Sequence, residues 1–266
     1  MTRKMRRTIW SWALLSPLVV LTLFPFAVML VTALKPASEV LRPTWLPSRL
    51  AWENFGTMWQ ATGFGRALWN SVVVATLSTL LAVAVSIPLA YALDRHRFPG
   101  RSAIRQILLV TQMLSPIVLV IGLFRLVVAL GWVDSPWGVV VAYAAFSVAF
   151  TTWMLQASFA AIPREIEEAA WLEGASGWTA LRTVFLPQAL PGIAAAALFS
   201  FVAAWNEFVI ALTLLRSEES YTLPIQVFSL VAGRYTVEWH HVMAATLSAT
   251  LPVAVVFAWL QRYLVR

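Results

Sequence analysis

Residues 67–93 read ALWNSVVVATLSTLLAVAVSIPLAYAL, with no charged side chain between Arg66 and Asp94. An α-helix rises about 1.5 Å per residue and a hydrocarbon core is roughly 30 Å thick, so about 20 apolar residues cross it. This run is long enough to span a bilayer with some tilt. Five other runs have the same property, and the six predicted spans are residues 9–34, 67–93, 106–130, 137–162, 189–215 and 242–264. Arg3, Lys4, Arg6 and Arg7 precede the first run as they would in a signal peptide. Its apolar stretch is well beyond a secretory core of about 7–15 residues, so it reads as a retained helix.

Composition agrees with that reading. Of 266 residues, 60% are hydrophobic and 12% charged, which is too apolar for a disordered chain or an ordinary soluble domain. The absence of cysteine excludes disulfide staples, thiolate nucleophiles and cysteine metal sites. The net charge of +7 is a topology signal and does not call for a nucleic-acid partner, because Lys and Arg sit between the apolar runs. Twelve of the 19 fall on one side: Arg3, Lys4, Arg6, Arg7, Arg95, Arg97, Arg101, Arg105, Arg164, Arg182, Arg262 and Arg266. Six fall on the other, and Arg125 lies inside the third run, about 7 Å from its end, where its stem can snorkel to the surface. The excess places both termini in the cytoplasm. Tryptophans near span ends, such as Trp10, Trp69, Trp132 and Trp239, fit an interfacial belt.

One connection on the basic side is unlike the others. Residues 162–192 read IPREIEEAAWLEGASGWTALRTVFLPQALPG. Pro163 suits a first helical turn, Glu165, Glu167 and Glu168 suit the positive end of the helix dipole, and Gly174 suits a left-handed cap. A second helix is expected from Ser176, as N-cap, to Leu186, where Pro187 stops it. The first helix offers a small-residue surface edged with charge, fit for docking against a soluble partner.

The pattern Glu168-Ala169-Ala170, three residues, Gly174, and then Leu186-Pro187 resembles the EAA loop of permease subunits in bacterial ABC importers. Asn70-Ser71-Val72, Ala90-Tyr91-Ala92 with Arg95 and Phe98-Pro99-Gly100, Trp205-Asn206-Glu207-Phe208 and Thr222-Leu223-Pro224 resemble the carbohydrate-uptake members, specifically the G-type subunits of maltose-type transporters. Two positions depart from the pattern: Glu173 stands where Asp is usual, and Trp171 is bulky. The resemblance covers nearly the whole chain and implies a type I permease fold over residues 1–266, with a core at 67–264, a first helix at 9–34 and a cytoplasmic coupling loop at 163–188.

The resemblance also implies partners. These are a second permease subunit in a heterodimer, two ABC ATPase subunits that hold ATP and Mg, an extracytoplasmic substrate-binding protein, and membrane lipid. The chain itself is expected to bind no cofactor and no metal, and to be non-catalytic, multi-pass and resident in the bacterial inner membrane. On this reading Glu168, Ala169, Ala170, Leu172, Glu173, Gly174, Leu186 and Pro187 form the ATPase-coupling surface. Trp205, Asn206, Glu207, Gln112 and Tyr143 are candidates for the translocation path, since a carboxylate, an amide and an indole suit sugar hydroxyls and a sugar face. Tyr221, Arg234 and Tyr235 are candidates for binding-protein contact, within the connection before the last span.

Other chemistry fits poorly. The two lysines, Lys4 and Lys35, lie in no phosphate-loop pattern, and Gly63-Phe64-Gly65 lacks a third glycine. His96, His240 and His241 have no helical metal-ligand spacing. Pro88, Pro116 and Pro252 are positioned to bend spans. The function expected is import of a sugar, oligosaccharide or polyol. The alternatives are an ABC permease for another solute or a stand-alone secondary transporter, for which an inverted repeat is wanted and none is visible.

Overall fold

The computed structural model describes residues 3–232 and 235–264, and all regular structure among them is helical. In chain order the helices are α1 (Arg3–Ala33), α2 (Glu53–Ala61), α3 (Phe64–Arg95), α4 (Arg101–Met113), α5 (Pro116–Ala129) and α6 (Pro136–Ala160). They continue with α7 (Glu165–Leu172), α8 (Gly177–Thr179), α9 (Leu186–Asn206), α10 (Val209–Leu214), α11 (Leu223–Ser229) and α12 (Trp239–Leu264). A short 3-10 turn lies at Ala37–Glu39, and a π-helical turn, Ala180–Phe185, joins α8 to α9. Five stretches are long and apolar enough to cross a membrane: Leu14–Ala33, Phe64–Arg95, Pro136–Ala160, Gly177–Asn206 and Trp239–Trp259. The pair α4 and α5 supplies a sixth as one broken span.

Three features sharpen or correct the expectations. The bend that Pro116 is positioned to make is present, and the run at 106–130 is two helices bent by 105°. Pro116 opens α5, and the residue before a proline is driven out of the helical region, so Ser115 is extended at φ −66°, ψ 133°. The run at 189–215 breaks too, at Glu207 (ψ 129°), before α10 begins. Third, Pro187 does not stop the helix that starts after Ser176. Gly177–Asn206 is one helix of 30 residues. The π-helical turn lies directly before Leu186 and Pro187, where it displaces the preceding turn whose carbonyl a proline ring would strike in a regular α-helix.

The chain divides into two compact units, one of Met1–Gly65 and Gln226–Leu251, the other of Arg66–Ile225 and Pro252–Arg266. In the first, the Asn54 side-chain amide donates to the carbonyls of Ala33 (2.7 Å) and Lys35 (2.8 Å), tying α2 to the end of α1. Thr57 bonds the His241 ring at 2.9 Å, and the Gln226 amide donates to the Thr62 carbonyl. The second unit has its core where α3, α6 and the π-helical turn meet. Phe185 packs edge-on against Phe159 (4.9 Å between ring centroids) and Tyr91 (5.2 Å), among Ala90, Leu155 and Ala189. A Cβ on Gly192 would overlap the Ser158 side chain, so α9 runs against α6 at a distance only glycine allows.

Candidate functional site

Helix α7 has two unlike faces. Glu167 (2% exposed) and Ala170 are buried, three residues apart on one side, whereas Glu168, Ala169, Trp171, Leu172 (90% exposed) and Glu173 face outward. Gly174 closes the helix at φ +88°, with its N–H on the Trp171 carbonyl and that of Ala175 on the Ala170 carbonyl, the left-handed cap expected there. Ser176 then caps the next helix by accepting the Thr179 N–H at 3.2 Å. Leu186 is partly buried against the aromatic core, and Pro187 is exposed. Of the eight predicted coupling residues, Glu168, Ala169, Leu172, Glu173, Gly174 and Pro187 are therefore presented outward, and Ala170 packs inward.

What fixes α7 to the rest of its unit was missed in the sequence. The Arg95 guanidinium lies buried between Asp94 (3.4 Å) and Glu167 (3.5 Å), 5.0 Å from the Phe185 ring centroid. Its Nη2 also donates to the carbonyls of Phe159 (3.2 Å) and Ile162 (2.7 Å) at the end of α6. Arg95 thus joins α3, α6, α7 and the π-helical turn. Arg101 and Arg105 each donate to the Leu93 carbonyl at 2.8 Å, and Arg164 donates to that of Asp94 at 3.3 Å. Arginines read as topology markers also cap the α3 C-terminus, where the helix dipole favours cations. The available signals were an Asp-Arg pair at the end of a long apolar run and a Glu three residues before an alanine of the motif.

At the other end of this unit, motifs quoted separately in the sequence meet. The Asn70 amide donates to the carbonyls of Glu219 (2.9 Å) and Tyr221 (3.0 Å), and the Ser71 hydroxyl accepts the Leu223 N–H at 2.7 Å. Asn70-Ser71 therefore holds the segment that leads into Thr222-Leu223-Pro224. Asp134, in the turn before α6 at φ +57°, accepts the N–H groups of Arg216 (2.9 Å) and Ser217 (3.1 Å). Burial pushes its carboxyl up, but the hydrogen bonds from Arg216, Ser217 and Ser220 outweigh this and hold it below the ordinary aspartate range. Tyr221 is half-buried with its hydroxyl 3.5 Å from the Arg216 carbonyl, Tyr235 is fully exposed, and Arg234 lies outside the described residues.

A cavity of about 510 Å³ opens where the α4–α5 break faces α6 and the end of α9. Gln112, Tyr143, Asn206 and Glu207 line it, four of the five predicted path residues. Trp205 does not; it is buried and stacks on Phe201 at 5.7 Å. Glu207 is already engaged, because its carboxylate accepts the N–H groups of Ile210 (3.0 Å) and Ala211 (3.2 Å) and so caps α10, while its carbonyl accepts the Tyr143 hydroxyl at 3.2 Å. A second cavity of about 450 Å³ continues along α6, lined by Arg105, Trp153 and Gln156 and sharing Gln112 and Phe150 with the first.

Comparison with known proteins accounts for this arrangement. Residues 82–266 match the family described as binding-protein-dependent transport system inner membrane component. The chain belongs to that family. As a permease it is 34% identical over 250 residues to the inner membrane ABC transporter permease protein YcjP of Escherichia coli (strain K12), covering 92% of this chain and 89% of the relative. It is 31% identical over 250 residues to the trehalose/maltose transport system permease protein MalG of Thermococcus litoralis, with 93% and 90% covered. Among solved structures it superposes on a chain of a bacterial ABC transporter involved in the import of alginate with a TM-score of 0.82, 23% identity, and 99% and 98% of the two chains covered. The permease is a multi-pass component of the inner membrane and a transport subunit.

Proposed function

We propose that this permease carries a sugar, oligosaccharide or polyol inward, paired with a second permease subunit and driven by two ABC ATPase subunits that bind the ATP and Mg. Sugar specificity is supported by relatives named for trehalose/maltose, trehalose and diacetylchitobiose transport, which span most of this chain. An extracytoplasmic binding protein delivers the substrate, as the family description implies. The termini and α7 lie in the cytoplasm, in keeping with the excess of basic residues at that end.

The observation that carries the coupling role is the division of α7. Its inner face is locked to α3, α6 and the π-helical turn through Arg95, while its outer face leaves Glu168, Leu172 and Glu173 uncovered. A force applied to the outer face by a closing ATPase is therefore passed to three other helices. Such closure drives the transport cycle only by binding one permease state more tightly than the other. Substrate passes along the cavity lined by Gln112, Tyr143 and Asn206. Glu207 acts there through the α10 cap it forms, which sets the shape of the wall.

Glu168→Lys tests the docking surface, because the side chain is exposed and its loss leaves the buried face intact. The expected result is loss of the co-purifying ATPase and of transport, with an unchanged melting temperature of the permease pair. An ATPase that still co-purifies and couples overturns the assignment. Ligand screening of the cognate binding protein tests the substrate class; a bound sugar is expected, and an amino acid or phosphate in its place overturns it.

A further inference from the structure

The segment between α1 and α2 is closed by its own polar groups. The Glu39 carboxylate accepts both the N–H and the hydroxyl of Ser48, the buried Lys35 ammonium donates to the Thr44 carbonyl, and the Ala51 N–H closes on the Leu34 carbonyl at 2.9 Å. The ends of the segment are thereby brought together as in a compact Ω-loop. Its apolar side chains turn outward. Leu41, Trp45 and Leu46 are each at least three-quarters exposed, and Leu50 and Trp52 are more than half exposed. A loop held by its own hydrogen bonds while showing that much apolar surface to water would be unfavourable, since each large apolar side chain left exposed forgoes the free energy of burial.

We infer that residues 36–52 form an interfacial anchor that seats in the headgroup and upper acyl region of the bilayer. Three observations select lipid as the occupant. The patch is continuous with α1, whose residues 14–28 are all exposed, an apolar surface suited to lipid. Its composition, Trp and Leu interspersed with Arg42 and Arg49, is that of a membrane interface, where indoles sit at headgroup depth and basic side chains reach phosphates. Finally, a crevice of about 220 Å³ runs between Trp45 and one stripe of α1, formed by Phe24, Val28 and Val31, with Lys35 and Thr44 at its polar end. Apolar walls closed at one end by an ammonium match an acyl chain below an anionic headgroup. The anchor holds the α1 end of its unit at a defined depth.

The chain contains no cysteine, so single-cysteine variants report cleanly. Trp45→Cys, Leu46→Cys, Leu50→Cys and, as an exposed polar reference on the same segment, Ser38→Cys are assembled with the partner subunits in nanodiscs of phosphatidylethanolamine and phosphatidylglycerol, where both membrane faces are open. A water-borne maleimide should modify positions 45, 46 and 50 roughly tenfold more slowly than position 38, the factor that a preference of about 1.4 kcal/mol for the apolar phase produces. Bimane probes at the three positions should be quenched by lipids brominated on their acyl chains. Equal modification rates at all four positions overturn the proposal. So does protection that appears only when the binding protein is added without bromine quenching, which assigns the patch to protein docking. Because both faces are accessible to the reagent, neither outcome depends on the orientation of the permease or on its substrate.

Discussion

The two ends of the unit that contains Arg66–Ile225 are fastened by different chemistry. At the α7 end the fastening is a cluster of buried charges, in which Arg95 sits 3.4–3.5 Å from Asp94 and Glu167. Among the described residues Asp94 Oδ2, Arg95 Nε and Glu167 Oε1 have no hydrogen-bond partner. At the α10–α11 end the fastening is directional: Asn70, Ser71 and Asp134 all bond backbone groups at 2.7–3.1 Å. The α7 end carries both kinds of fastening, because Arg95 also donates to the carbonyls of Phe159 and Ile162; its ion pairs keep part of their attraction as the geometry changes, whereas a bond to a backbone group is made in one geometry or lost. The α7 end therefore holds contacts that survive a small shift, and the α10–α11 end is built to keep its shape.

The largest expected effect comes from breaking the charge cluster. Arg95→Ala leaves two buried carboxylates unpaired and two α6 carbonyls without their donor, for which about 3–5 kcal/mol is typical. The assembled complex should melt at a markedly lower temperature, and ATP hydrolysis should lose its stimulation by the binding protein. Replacing Arg95 and Glu167 together by leucine should recover part of the melting temperature, since Asp94 and the α6 carbonyls stay unpaired, without restoring stimulation. If the double variant transports normally, the cluster is structural only and the contrast between the ends disappears.

A smaller effect is expected from Ser71→Ala, which strands the buried Leu223 N–H at a cost of about 1–3 kcal/mol. Because this end is a frame, the change should lower the melting temperature while leaving stimulation per folded complex intact. Hydrogen exchange at Leu223 should rise, and a coupling defect at unchanged stability would contradict the frame role.

The smallest effect is the pH dependence carried by Asp134. Its folded pKa lies below the ordinary aspartate range, so it contributes stability fully present above that range and lost as pH falls through the lower folded value. The contribution is below about 1 kcal/mol because the turn is partly solvated. Asp134→Asn should flatten the acid limb of a melting-temperature profile, and an unchanged limb would count against it.

Much of this was legible in the sequence, and the reasons for the remainder are specific. Hydropathy marks the crossings because solvation by lipid is a property of averaged composition. Averaging passes over the bend between α4 and α5, but Pro116 marked its place; what the sequence left open is its size, 105°, which one extended residue at Ser115 produces. The spacing from Glu168 to Gly174 located α7 and its cap, and Ser176 was readable as the next N-cap. Which glutamate turns inward depends on the register of a short helix against α3, and no local pattern separates Glu167 from Glu168. Asn70-Ser71 and Thr222-Leu223-Pro224 were recognisable as motifs, but their pairing joins residues about 150 positions apart. Glu207 is a candidate for the translocation path in the sequence because a carboxylate in a membrane span is costly. The chain offsets that cost locally, with the N–H groups of the helix that follows.

The π-helical turn at Ala180–Phe185 has one more consequence. A π turn is an α turn with one residue too many, and successive residues of an α-helix are about 100° apart around its axis. Shortening the turn by one residue would thus return it to α geometry and rotate every side chain of α9 relative to those of α8. Gly192 would leave the Ser158 seam, and Asn206 would leave the cavity wall. The surplus residue works as a phase setting, and insertions or deletions across Ala180–Phe185 should be the least tolerated length changes in the chain.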